Sequence, residues 1–133
     1  MTTDTPPLCL IAESDIFVAQ LLARFAEQAG FATEALSTGQ ELLDRLPQRS
    51  PSLLILDLEL PGETRGWEAL QMIRGRAEWQ DLPILACSWL SQPDAEALAR
   101  EPLHLLRKPE LHYRDFLALT GAAGAVARRV GRP

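Results

Sequence analysis

Cysteine is scarce in this chain. Only Cys9 and Cys87 occur among 133 residues, each inside an apolar run, with no CxxC pair and nothing nearby at metal-ligand spacing. Two buried, reduced thiols are the expected state, as in a cytoplasmic protein. Long apolar stretches are missing too: no run approaches the ~18 residues that a membrane-crossing helix requires. The first seven residues lack both a basic cluster and an apolar core, so they do not read as a secretory leader. Positive charge is in the minority, with 13 Lys and Arg against 18 Asp and Glu and a net charge of −5. Such a field repels nucleic acid, and no direct nucleic-acid binding is expected. The short basic run of Arg128, Arg129 and Arg132 reads as a solvated helix end. Low-complexity tracts, internal repeats and interdomain linkers are also absent. A length of 133 residues suits one domain with one core. The expectation is a soluble cytoplasmic domain over residues 1–133, with its core at about 8–129.

What the sequence does contain is a strict alternation of two kinds of segment. Leu8 to Ala12, Phe31 to Leu36, Leu53 to Asp57, Pro83 to Ser88 and Leu103 to Leu106 read as short strands. The first is apolar throughout and the third and fourth are apolar up to their last residue, as suits strands buried on both faces of a parallel sheet. Between them lie helical patterns. The first runs from Ile16 to Ala29 and is ended by Gly30. The second opens at Ser37, Thr38 or Gly39 and is closed by Pro47. The third spans roughly Gly66 to Ala77, and the fourth runs from Pro93 to Arg100, with proline in its first turn. The last extends from about Glu110 to Arg129. Five strand–helix units predict a doubly wound (βα)5 α/β sheet with right-handed crossovers.

Open sheets of this class bind ligands at the carboxyl ends of their strands, so the residues there carry the functional reading. Strand one ends in Glu13, Ser14 and Asp15, strand three in Asp57, strand four in Ser88 and strand five in Lys108. Carboxylates, a hydroxyl and an ammonium thus meet on one rim. Clustered carboxylate oxygens suit a hard cation such as Mg²⁺. Asp57 is placed to act as a carboxylate nucleophile toward phosphorus, with Lys108 and Ser88 meeting the phosphoryl oxygens.

With these residues in view, the chain resembles the receiver domains of two-component response regulators over nearly its whole length. The matching pieces are Ile11-Ala12-Glu13-Ser14-Asp15, Leu54-Ile55-Leu56-Asp57 followed by Leu60-Pro61-Gly62, Pro83 to Ser88, and Arg107-Lys108-Pro109. The resemblance implies a flavodoxin-like five-stranded sheet in the order 2-1-3-4-5. It implies Asp57 as phosphoacceptor, Ser88 as switch hydroxyl and Lys108 as partner of the phosphoryl group. It also implies a Mg²⁺ site formed by Glu13, Asp57 and the backbone carbonyl of Glu59, and a cis Lys108–Pro109 bond. The implied partners are a histidine kinase or phosphotransfer protein upstream and a downstream protein met through the strand 4–helix 4–strand 5–helix 5 face. A homodimer is one arrangement open to such a domain. The domain would not be an enzyme with a substrate of its own.

Several positions depart from that pattern. Family members usually carry two adjacent acids after strand one, and the second is Ser14 here, which predicts weaker Mg²⁺ binding. Asp15 either reaches inward or caps helix one. The switch aromatic three residues before the lysine is Leu105. Trp89 stands where a small residue is usual, and it either leans over Asp57 or packs outward as an anchor for a partner. The usual Asp-Gly before helix three reads Thr64-Arg65-Gly66, in a loop one residue longer. The stretch from Ser88 to Lys108 is short, so helix four is expected to be truncated. These departures motivate a second reading, a pseudo-receiver that docks without phosphorylation. A third, a nucleotide or flavin binder, is disfavoured because the acidic turn after strand one repels phosphate. His104 and His112 read as packing residues, as do Trp67 and Trp79. The chain ends about where one such domain ends, so the signal is expected to leave through a protein contact.

Overall fold

The runs ending at Ala12, Asp57 and Ser88 are apolar at nearly every position, and their place in the sheet explains why. The computed structural model describes residues 5–125. In it β1 (Leu8–Ala12), β2 (Ala32–Leu36), β3 (Leu53–Asp57), β4 (Ile84–Ser88) and β5 (His104–Arg107) pair in parallel, in the order β2-β1-β3-β4-β5. This is the expected doubly wound, flavodoxin-like arrangement. Successive side chains leave a strand on opposite faces. Leu10, Leu54, Leu56 and Ala86 accordingly join one apolar cluster, while Cys9, Ile11, Ile55 and Leu85 join the other. The first cluster is closed by α2 (Gly39–Arg49), α3 (Gly66–Arg74) and α4 (Gln92–Ala99), through Leu42, Leu46, Leu70, Ile73 and Ala95. The second is closed by α1 (Ile16–Gln28) and α5 (Tyr113–Ala122), where Leu22, Phe25 and Phe116 supply the bulk. Strands covered on both faces have no solvent side on which to place polar residues.

Helix boundaries show where local signals compete. Asp15 caps α1, its Oδ1 accepting from the N–H groups of Phe17 at 2.9 Å and Val18 at 3.2 Å. Gly30 follows in the left-handed region with φ at 102°, as its place after the helix predicts. Phe31 closes that turn through its N–H to the Ala26 carbonyl, so β2 starts one residue later than the pattern implied.

Pro47 does not end α2, contrary to expectation. The helix runs on to Arg49 and closes on Ser50, whose φ is 48°. A proline this near the end costs one N–H bond in a turn that buried Leu46 already anchors in the core. α3 stops at Arg74 instead of Ala77, and Ala77–Trp79 form a separate 3-10 turn beyond Gly75. Glycine weakens the helix there, and Arg74 captures carbonyls of the next turn. α4 is short, at eight residues, as expected. α5 begins at Tyr113 and not Glu110, because Leu111 N–H turns back to the Pro109 carbonyl and His112 is extended. The helix also ends at Ala122, short of the expected Arg129, because Gly124 turns into the left-handed region with φ at 88°; the expected basic end lies outside the described residues.

Candidate functional site

Parallel pairing in register delivers four polar groups to one end of the sheet: Glu13 after β1, Asp57 from β3, Ser88 from β4 and Lys108 after β5. Each is almost wholly buried, with exposures of 4%, 3%, 0% and 6%. Lys108 N–H donates to the Ser88 carbonyl at 2.8 Å, which extends the β4–β5 ladder by one step. Its Nζ then lies 2.9 Å from Glu13 Oε1 and 3.3 Å from Asp57 Oδ1. The Lys108–Pro109 bond is cis, as the resemblance implied. A single ammonium thus bridges two buried carboxylates.

The electrostatic consequence falls mainly on Asp57. Burial, and next the neighbouring Glu13 charge, push its carboxyl above the ordinary aspartate value, against the pull of Lys108 and of the Glu59 N–H. For Lys108, burial favours the neutral amine. The hydrogen bond to Glu13 and the surrounding negative charges outweigh that and hold its ammonium above the usual lysine value. Two acids share one base, so the pocket keeps an uncompensated negative charge. The cysteines are free and buried, as expected; burial pushes the Cys87 thiol up to about 12, so neither is a poised nucleophile.

Glu59 adds a third carboxylate at this rim. Its Oε2 accepts the Ser88 hydroxyl at 2.5 Å, and its Oε1 accepts the Trp89 N–H at 3.2 Å. Ser88 Oγ also accepts the Leu90 N–H at 3.0 Å. The resemblance implied only the backbone carbonyl of Glu59 and not this side-chain role, for which an acid two residues beyond Asp57 and a neighbouring strand ending in serine were the available signal. Trp89 is 57% exposed, yet the Lys108 ammonium lies 5.8 Å from the centre of its ring. It therefore leans over the pocket and does not pack away from it. Leu105 is half-buried, paired with Ala86 in the sheet and packed on the α2–α4 side of the core.

Ser14 is exposed and joins none of these contacts, while Asp15 spends its carboxylate on the α1 cap. Among the described residues, no three His, Cys, Asp or Glu side chains converge as a metal cage would. The donors that do meet, Glu13 and Asp57, are hard oxygens of the type that suits Mg²⁺. The fit is one of donor chemistry and excess negative charge, with one carboxylate fewer than two adjacent acids would provide.

Gly66 shows why a glycine opens α3. A β-carbon there would sit 1.8 Å from the Asp57 carbonyl oxygen, so the helix can approach the strand end only without a side chain. Trp67 N–H then donates to the Leu58 carbonyl at 3.1 Å, and the Arg65 guanidinium holds the Leu60 carbonyl at 2.9 Å. These contacts fix the loop that follows Asp57.

A doubly wound sheet carrying buried acids, a hydroxyl and a lysine on its carboxyl rim defines a receiver-type α/β domain. The chain belongs to the response regulator receiver domain family, whose model matches residues 9–110. It is 37% identical over 79 residues to the phosphate regulon transcriptional regulatory protein PhoB of Rhizobium meliloti, covering 59% of this chain and 34% of that one. The chain spans about a third of the length of the first curated transcriptional regulators it matches. Among solved structures, a putative response regulator from Chloroflexus aurantiacus superposes with a TM-score of 0.79 at 24% identity, covering 89% of this chain and 97% of that one. The Mn²⁺-bound form of response regulator Rcp1 does so with a TM-score of 0.71 at 19% identity, covering 96% and 99%. At these identities the structural likeness establishes the fold.

Proposed function

We propose that this receiver domain accepts a phosphoryl group on Asp57 from a histidine kinase or phosphotransfer protein and passes the signal on by protein contact. The observation that carries this reading is the buried Asp57 carboxylate at the end of a central strand, with Lys108 Nζ 3.3 Å away and Ser88 ending the next strand. Asp57 Oδ1 is engaged by the Glu59 N–H at 2.9 Å and by Lys108, which leaves Oδ2 to attack. The new bond joins Oδ2 to phosphorus as the phosphorus–nitrogen bond of a phosphohistidine donor breaks, and the imidazole departs with the electron pair. Lys108 stays protonated throughout and meets charge on the phosphoryl oxygens. Ser88 supplies a hydroxyl donor to the same oxygens.

Glu13, Asp57 and the Glu59 backbone carbonyl would hold Mg²⁺, whose contribution is further neutralisation of phosphoryl charge. Weak affinity follows from the exposed Ser14. Response regulator Rcp1, which shares this fold, has a Mn²⁺-bound form, and the uncompensated acid at the rim supports a metal here. One sheet joins all the described elements, which supports reading residues 1–133 as a single domain. Among the described residues no helix is long and apolar enough to cross a membrane, and a cytoplasmic site of action goes with a kinase partner. The exit surface in this reading is the β4–α4–β5–α5 face, and dimer formation through it is one route for the signal.

Intact-mass measurement after acetyl phosphate treatment, with and without Mg²⁺, tests the reading. A single phosphoryl adduct on the wild-type chain that is missing from Asp57→Asn is the expected result. No adduct under any condition, with partner binding indifferent to phosphodonor, would replace it with the pseudo-receiver docking module.

A further inference from the structure

The side chain of Glu59 has no task in the chemistry above, yet it makes the shortest polar contact at the rim. Its two carboxylate oxygens take the Ser88 hydroxyl at 2.5 Å and the Trp89 N–H at 3.2 Å. Ser88 Oγ is simultaneously held by the Leu90 N–H at 3.0 Å. A serine hydroxyl carries one proton to donate. While that proton is committed to Glu59, Ser88 cannot donate to a phosphoryl oxygen on Asp57.

We infer that Glu59 is a positioning residue that latches Ser88 and the start of the β4–α4 loop in the resting state, and that the phosphoryl group opens the latch by competing for the Ser88 hydroxyl. The inference rests on Asp57 being the phosphoacceptor. Both competing acceptors are anionic, so the exchange trades one charge-assisted hydrogen bond for another. A phosphoryl group on Asp57 also repels the Glu59 carboxylate, which pushes the exchange in the same direction. Trp89 is coupled to the event at two points. Its N–H loses an acceptor when Glu59 leaves, and its indole ring rests over the Lys108 ammonium at 5.8 Å. Opening the latch therefore frees the most exposed residue of the rim loop, a tryptophan with the size and amphipathic character of an interface anchor.

The latch is tested on the full chain with Glu59→Ala and, should that variant fold poorly, Glu59→Gln, which keeps one acceptor. Without phosphodonor, amide hydrogen exchange at Trp89 followed by NMR should speed up by roughly ten-fold in Glu59→Ala, the loss expected for a hydrogen bond to a charged acceptor. With acetyl phosphate and Mg²⁺, the same variant should gain phosphoryl group several-fold faster than wild type. That gain should vanish in a Ser88→Ala background, because the latch acts only through the Ser88 hydroxyl. Unchanged exchange at Trp89 overturns the inference, as do Glu59→Ala and Ser88→Ala effects on phosphorylation that simply add. A wild-type chain that takes no phosphoryl group sinks the phosphoacceptor reading alone, and the exchange arm then still decides whether the latch exists.

Discussion

The two ends of the sheet treat a cation in opposite ways, Arg74 half-buried at one and Lys108 buried at the other. At the amino ends of the strands, Arg74 spends its guanidinium on structure. One Nη reaches the carbonyls of Trp79 and Leu82, both at 2.9 Å, and Nε faces Glu101 at 3.5 Å. The α3–β4 and α4–β5 connections are thereby tied together, with one base facing one acid. At the carboxyl ends, Lys108 is shared between two carboxylates, and a third lies close by on Glu59. One rim is balanced and the other carries surplus acid. A balanced rim holds the fold together; a surplus rim stores an unmet demand for positive charge or for a change of protonation, which is what a reactive site requires.

The comparison breaks most visibly at Lys108. Lys108→Ala should cost about 4 kcal/mol in urea unfolding at neutral pH, because it strands two buried carboxylates. A loss below 1 kcal/mol would mean that solvent already serves them. Gly66→Ala comes next, at about 3 kcal/mol by thermal or urea denaturation, since the added methyl meets the Asp57 backbone and not a movable side chain. At the opposite rim, Arg74→Ala should cost about 2 kcal/mol, the value of hydrogen bonds from a charged donor. It should leave phosphoryl uptake by Asp57 unchanged, which separates the two rims directly.

The smallest effect has the opposite sign. The folded chain holds the Asp57 proton to a higher pH than the unfolded chain does. Stability contributed by this group is therefore greatest at low pH and falls as pH rises from the ordinary carboxylate value through the raised one. Asp57→Asn removes that fall, so its melting temperature should exceed that of wild type by a few degrees near pH 7. The gap should narrow toward pH 4. An unchanged or lowered melting temperature near pH 7 would show that Lys108 fully compensates Asp57.

The strands were readable because burial on both faces leaves an unbroken apolar run with a polar residue where the run meets the rim. β1, β3 and β4 stood out in this way, and Glu13, Asp57 and Ser88 with them. Helix ends were read less well. Pro47 and Gly75 each pull a boundary locally, and the outcome depended on whether the core held the turn, as it does at Leu46, or a distant side chain bound it, as Arg74 does. Asp15 and Trp89 each had two open roles. Asp15 proved to be a cap, since its carboxylate lies within reach of the free N–H groups of α1. Trp89 proved to lie over the pocket, drawn to the Lys108 ammonium.

The sequence by itself determined the order of the elements, the parallel sheet and the row of polar residues at its carboxyl rim. All three follow from periodicity and from which residues can tolerate a fully buried strand. Only the tertiary structure decided how those polar residues share their partners. Lys108 meets Glu13 across 95 positions of chain, and Glu59 meets Ser88 across 29. Neither pairing leaves a local trace, because hydrogen-bond partners at a strand end are selected by the sheet's register and not by neighbours in the chain. The surplus charge at this rim, and the committed proton on Ser88, exist only once the sheet has formed.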